Sequence, residues 1–308
     1  MASTTTPRAS LGRLAGPRVR IFEHEARLGY LLLIPALLLL LVFVAYPFLF
    51  GIWLSITNSQ IGVNGHFVGL ANFQFEQGDS VFIQSFVNTV SYTGITTVLK
   101  LALGMVMALL LNQVFPAQRF VRAALLLPWI IPSVLSTLAW RWMFDPTFSV
   151  VNWVIIHSHL SATGVDWLGK TGTALTSLMI VNVWRGTPFY GIALLAGLQT
   201  IPVDLYEAAR VDGASRWQQF RRITVPMLRP VLLVVLLLST ILTFGDFTLP
   251  YVLTNGAPFN STHVLSTWAF AIGVGGGYIS IGAAISLVLF PLLSAIVFGV
   301  MVVLRRQE

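Results

Sequence analysis

The sequence predicts an all-α, polytopic membrane protein with six transmembrane helices and both termini in the cytoplasm, and three observations carry that expectation. Of the 308 residues, 56% are hydrophobic and 9% charged, with a mean hydropathy of +0.81, against the ~25% charged residues of a soluble domain. The apolar residues collect in six stretches, each near or above the ~20 residues that a helix needs to cross the hydrocarbon core. The cations stand at the ends of those stretches, and most of them on one side.

The first stretch, residues 29–53, follows a segment rich in Ser, Thr, Pro and Arg without helical periodicity until about Ile21. This predicts a mobile tail ending in a short interfacial helix. The competing reading is a cleaved signal peptide, but the apolar run is too long, begins too late and lacks a small-x-small cleavage site, so the first span is expected to be retained. The other stretches are 84–111, 120–143, 172–197, 229–251 and 279–304. Pro35, Pro47, Pro128, Pro132, Pro188, Pro250 and Pro291 fall inside them; in a bundle, neighbouring helices satisfy the carbonyls that proline frees. The expected division is a tail over 1–28, a first helix and outer loop over 29–85, a core over 86–304 containing a cytoplasmic loop at 198–228, and a tail over 305–308.

Charge sets the orientation. Arg8, Arg13, Arg18, Arg20 and Arg27, then Arg119 and Arg122, then Arg210, Arg216, Arg221, Arg222 and Arg229, then Arg305 and Arg306 make 14 of the 18 cations on one side. Only Arg141 and Lys170 lie opposite, with Lys100 and Arg185 inside spans. The positive-inside bias puts the first group in the cytoplasm, which an even number of spans permits. The net charge of +7 is no nucleic-acid signature, because a DNA reader gathers its cations on one soluble face. With no Cys there are no disulfides, thiolate metal sites or thiol nucleophiles. His157 and His159, without a carboxylate beside them, do not make a coordination shell.

The loop at 198–228 is a charged island between apolar spans. Pro202 and Asp204 suit a helix first turn, where a missing N–H costs nothing and a carboxylate meets the positive dipole end. Leu205, Ala208 and Ala209 then share a face, and two successive Ala let that face approach a partner closely, with Glu207 beside them as an anion. Gly213 suits a C-terminal cap of positive φ, and Ser215 with Gln218 has capping-box spacing for a second helix. That helix carries Trp217, Phe220 and Ile223 on one face, and Pro226 is expected to end the island before the fifth span.

Glu207-Ala208-Ala209, then Gly213 after three intervening residues, Ile223 after nine more and Pro226 after a further two, together resemble the signature loop of the membrane-spanning subunits of bacterial ABC importers. The flanking Ile201 to Tyr206 and Asp212 to Trp217 narrow the likeness to sugar permeases of the maltose and glycerol-phosphate type, with Val225 in place of the usual Leu. Asn88-Thr89, Leu127-Pro128-Trp129 with Pro132, Trp184-Arg185 with Pro188-Phe189, and Tyr251 to Gly256 with Pro258 are similar to recurrent wording of the same family. The resemblance implies that Glu207, Ala208, Ala209, Asp212, Gly213, Trp217, Ile223 and Pro226 dock on a separate ATPase. It also implies a second homologous permease, two ATPase subunits that hold ATP and Mg, an extracytoplasmic solute-binding protein and a carbohydrate substrate. The chain itself would bind no cofactor or nucleic acid and catalyse no reaction, and would sit among lipids in the bacterial inner membrane. The competing reading of the loop is an amphipathic helix on the headgroups, anchored by Trp217 and the arginines.

Gly164 to Thr171 matches the phosphate-loop expression letter by letter. Phosphate cradling needs a buried strand and a helix in an α/β domain, whereas this match lies in an outward loop. Gly273-Val274-Gly275-Gly276-Gly277 reads as flexible loop. Lys100, Arg185 and Asp246 are charges within spans, where each is costly unless it faces a cavity or partner. Arg185 is expected ~20 Å below the outer end of its span and Asp246 ~8 Å below the end of its own, too far apart for a direct pair without a broken helix. Asp246, with Thr243, either lines an outward pathway or is a satisfied helix-end carboxylate. Arg185 is expected to line the pathway or to hold spans together, and Lys100 to snorkel inward. Trp184 and Tyr190 have the aromatic character that suits sugar or packing. Two other classes, a secondary transporter and a membrane enzyme, would need midplane ion ligands or clustered acid–base residues.

Overall fold

The computed structural model describes residues 19–305. The tail before Val19, with its expected mobility, lies outside the described residues. Helix α1 (Val19–Leu40) runs without interruption through a π-turn (Leu41–Ala45) into α2 (Tyr46–Ser55). The expected interfacial helix is therefore not a separate element. Contacts divide the chain into a unit that ends at Gly51 and a unit that begins at Ile52. In the first unit every described side chain from Leu28 to Phe50 is exposed, as a lipid-facing helix of Leu, Val and Phe requires.

The second unit contains α3 (Ala71–Gly78), α4 (Ser80–Leu111), α5 (Gln118–Ile130), α6 (Ser133–Met143), α7 (Val150–His157) and α8 (Thr171–Leu198). It continues with α9 (Val203–Val211), α10 (Arg216–Gln219), a π-turn (Phe220–Thr224), α11 (Val225–Phe244), α12 (Thr248–Leu253), α13 (Leu265–Phe270), a π-turn (Ala271–Gly275) and α14 (Ile279–Arg305). Among the described residues five helical stretches are long and apolar enough to cross a bilayer, and the pair α5 and α6, taken as one crossing, brings the number to six.

Two spans differ from the sequence expectation. The third is broken: α5 and α6 meet at 91°. Pro132 has no N–H to continue the ladder, and it forces Ile131 into an extended conformation with ψ of 130°. The fifth begins earlier and ends sooner than 229–251, because one helical stretch runs from Arg216 to Phe244. Pro226 does not stop it. The Val225 N–H bonds the Phe220 carbonyl five residues back, and this wider turn makes room for a ring that would clash with a carbonyl four residues back. The stretch ends at Gly245, and Pro250 belongs to the separate α12.

The core is centred on α4 and α8, which share the most extensive helix contact. Their axes come close where Gly104 lies against Tyr190 and Gly191 against Met107, with no room for a Cβ at either glycine. Since α11 stops early, the outer part of the bundle is filled by α12 and α13 instead. Leu249, Leu253 and Val264 pack with Tyr92, Phe144, Leu178 and Val181, while Leu265, Trp268 and Ala269 pack with Ile285. The glycine-rich run is a correction too. Its first residues are not loop but continue α13 as a π-turn, and Gly273 meets Gly282 of α14 backbone to backbone.

Candidate functional sites: a cytoplasmic turn and an interior cavity

The cytoplasmic turn is built by backbone geometry. Pro202 precedes α9, and Asp204 stands in its first turn. Gly213 has φ +78°, its N–H bonds the Arg210 carbonyl at 3.1 Å, and the Ala214 N–H bonds the Ala209 carbonyl at 2.8 Å. These two bonds form a Schellman motif, which requires the left-handed residue that glycine supplies. Ser215 and Gln218 close a reciprocal capping box at the start of α10. Tyr206 joins the two arms, its hydroxyl 3.0 Å from Thr224 Oγ1.

On this frame Glu207, Ala208, Asp212 and Gly213 are exposed, and Ala209 and Ile223 half-buried. Glu207 lies 3.9 Å from Arg210. Trp217 is 66% exposed and stacks on Phe220 at 5.5 Å, while Val203, Leu205 and Val211 are also exposed. Ile223 and Tyr206 instead turn toward the bundle, against the cluster of Leu111, Leu198 and Leu228. Pro226 lies in the continuous helix, exposed.

The second site is a cavity of about 270 Å³ lined by Lys100, Trp129, Asn182, Arg185, Gly186, Phe189, Ser239, Leu242, Thr243 and Asp246. It brings Arg185, Thr243 and Asp246 together, because the early end of α11 lowers Asp246 to the level of Arg185. No ion pair joins Arg185 to Asp246 among the described residues, and Arg185 Nη1 is buried without a hydrogen-bond partner. The spans are tied instead by Lys100. It is 2% exposed, and its Nζ donates to Asn182 Oδ1 at 2.9 Å and to Thr243 Oγ1 at 2.8 Å. It therefore does not snorkel; acceptors on two neighbouring helices offer it better compensation than a distant interface.

Asp246 is a satisfied carboxylate near a helix start and also faces the cavity. It lines the cavity, accepts from the Tyr92 hydroxyl at 3.1 Å, and takes the Leu249 N–H at 3.3 Å near the start of α12. Tyr92 and Asn182 went unnoticed in the sequence, where one polar residue in a long span carries little signal. Trp184 and Tyr190 lie elsewhere. Trp184 borders a wide apolar groove of about 850 Å³ between α4, α5 and α8 and meets Trp140 edge-on, and Tyr190 is fully buried against α4. Trp129 and Phe189 stack at 5.0 Å on the cavity wall.

The phosphate-loop look-alike has its own occupant. The Asp166 carboxylate accepts from the Gly169 N–H at 2.8 Å, so an anion already sits where the loop would need to receive phosphate.

Comparison with known proteins places this geometry. Residues 100–306 match the family described as binding-protein-dependent transport system inner membrane component. A trehalose/maltose transport system permease protein of Thermococcus litoralis is 39% identical over 270 residues, covering 87% of this chain and 90% of the relative. A sulfoquinovosyl glycerol transport system permease protein of Agrobacterium fabrum is 33% identical over 283 residues, covering 91% of each. Among solved structures, a chain of a bacterial ABC transporter involved in the import of the acidic polysaccharide alginate superposes with a TM-score of 0.80 at 25% identity, over 93% of this chain and 99% of that one. With five or six apolar crossings among the described residues, a built turn between α9 and α10 and a family match that covers most of the core, the chain belongs to the binding-protein-dependent inner membrane components and is the translocation subunit of an ABC importer.

Proposed function

We propose that the chain carries a carbohydrate across the inner membrane, pairing with a second homologous permease and docking through α9 and α10 on one of two ATPase subunits. The observation that carries the docking half is the exposed face of Val203, Leu205, Val211 and Trp217 around Glu207, on a turn fixed by the Gly213 motif and the Ser215 capping box. Apolar side chains held rigidly in water mark an interaction surface. A headgroup helix gains nothing from the Schellman motif that aims α10 away from α9.

The cavity supports the carbohydrate half. A stacked aromatic pair beside Ser239, Thr243, Arg185 and Asp246 combines an apolar wall with convergent polar groups, as a hydroxylated ring requires. Relatives are described as permeases for trehalose/maltose and for sulfoquinovosyl glycerol, which agrees with that class. ATP and Mg²⁺ would be held by the ATPase subunits, and a solute-binding protein would deliver the substrate from outside. Closure of the ATPase pair would draw the docked turns together and switch the pathway between two states as a rigid-body change.

The test uses the complete complex. Glu207→Ala should leave permease abundance unchanged and lower ATPase co-purification and uptake, because a partner cation loses its carboxylate. Wild-type uptake and co-purification would return the turn to the headgroup reading. Calorimetry of the cognate binding protein against mono-, di- and oligosaccharides, polyols and amino acids tests the substrate class; binding of amino acids alone would overturn it.

A further inference from the structure

Lys100 is the only Lys or Arg among the described residues that is buried. Its stem reaches across α8 over Gly186, where an added Cβ would come within 2.5 Å of Lys100 Cδ. Gly186 has no positive φ, so the glycine supplies space there and not backbone freedom. At the far end the ammonium donates to Asn182 on α8 and to Thr243 on α11. Asn182 passes the contact on. Its Nδ2 donates to the Tyr92 hydroxyl at 2.7 Å and lies 3.4 Å from Asp246 Oδ2, which the same hydroxyl also reaches. Ammonium and carboxylate are joined through an amide and do not touch.

A charge that only needed neutralising would be served by a direct ion pair. Here the hydrogen bonds of the ammonium go to two of the three neutral polar side chains of the cavity wall, Asn182 and Thr243, one on each neighbouring helix, and not to Ser239. We propose that Lys100 is a positioning residue, which fixes Thr243 and Asn182, and through Asn182 the Asp246 carboxylate, as one wall, while Gly186 keeps the passage for its stem open. The inference rests on the reading that the cavity lies on the translocation pathway.

The test is uptake by proteoliposomes holding the whole complex, with permease abundance measured in the same preparation. Lys100→Met keeps the length of the stem and leaves the Asp246 charge uncompensated, so both abundance and maximal uptake fall. Lys100→Met with Asp246→Asn removes both charges. Abundance then recovers while maximal uptake stays about tenfold below that of Asp246→Asn alone, because the wall remains unheld. Gly186→Ala retains every polar group and crowds only the stem; it lowers maximal uptake at near-normal abundance. Recovery of uptake together with abundance in the double variant would reduce Lys100 to charge balance and overturn the proposal, as would wild-type uptake in Lys100→Met. Wild-type uptake in Gly186→Ala would remove the passage. Arg185→Ala separates the two readings: unchanged uptake there, with slow uptake in the double variant, takes the cavity off the pathway and leaves the positioning of α11 by Lys100 standing.

Discussion

At the cytoplasmic turn Glu207 and Arg210 stand 3.9 Å apart with side chains 65% and 62% exposed, whereas in the cavity Lys100 and Asp246 are 2% and 9% exposed and joined through Asn182. The turn owes its shape to the backbone: a positive φ, a Schellman pair and a capping box, all within a dozen residues. The cavity wall owes its shape to side chains that meet from positions 82, 143 and 154 residues apart. Water screens the first pair and leaves its residues free for a partner. Exclusion of water makes the second pair dependent on every hydrogen bond around it.

The largest effect should come from forcing side-chain chemistry onto the backbone-built region. Gly213→Val puts a β-branched residue at φ +78°, a conformation that costs an ordinary residue roughly 1–2 kcal/mol and a β-branched one more. Uptake should fall to background and the ATPase should no longer co-purify, at normal permease abundance. Gly213→Asn, which tolerates the left-handed region, should keep most of both. Equal loss in the two variants would mean that the absence of a side chain, and not φ, is what the site needs.

Next in size is an insult to the side-chain-built region. Tyr92→Phe removes a hydroxyl that donates to Asp246 and accepts from Asn182, leaving partners unsatisfied at a cost of about 1–3 kcal/mol. The purified subunit should melt about 2–6 °C lower. Glu207→Gln should shift the same transition by about 1 °C or less, since an exposed pair contributes little. Similar shifts in both would erase the distinction.

This contrast also explains what the sequence made legible. The turn could be read in advance, down to Gly213 and the Ser215–Gln218 box, because each of its devices is local and each has a residue signature. The apolar spans were legible for a related reason, since apolar length is a sum over neighbours. The network of Tyr92, Lys100 and Asn182 was not legible, because its partners come from three helices and any one of them alone is a lone polar residue. Depth misled as well. Pro250 looked like part of the fifth span, but the helix stops at Gly245 and re-forms as α12, which lowered Asp246 to the cavity. The Pro132 break and the passage of Pro226 through a π-turn show that the same residue can end a helix or be absorbed by it, depending on the turn before it.

The outer loop extends the side-chain rule beyond the spans and offers a smaller test by pH. His263 is 3% exposed with Nδ1 3.0 Å from Thr267 Oγ1, and burial holds its pKa below the ordinary 6.5. The unfolded chain takes up this proton below about 6.5, the folded one only at lower pH. Stability is therefore full above that value and lost as pH falls through the folded pKa. The melting temperature should drop between pH 7 and 5, and His263→Gln should flatten that slope. An unchanged slope would place the pH response on other groups. The smallest effect belongs to the look-alike loop. Lys170→Ala should leave ATP hydrolysis by the complex unaltered, and loss of hydrolysis at normal assembly would give Gly164 to Thr171 a role denied to it here.

The uninterrupted stretch from Arg216 to Phe244 has a mechanical consequence. At 29 residues it is ~43 Å long, with Trp217 near one end and Thr243 near the other. A tilt of about 5° imposed at the cytoplasmic end sweeps the outer end sideways by ~4 Å, more than the reach of a hydrogen bond. A small angular change at the membrane surface is thus sufficient to make or break a contact in the bilayer interior, with no residue between them needing to alter its conformation.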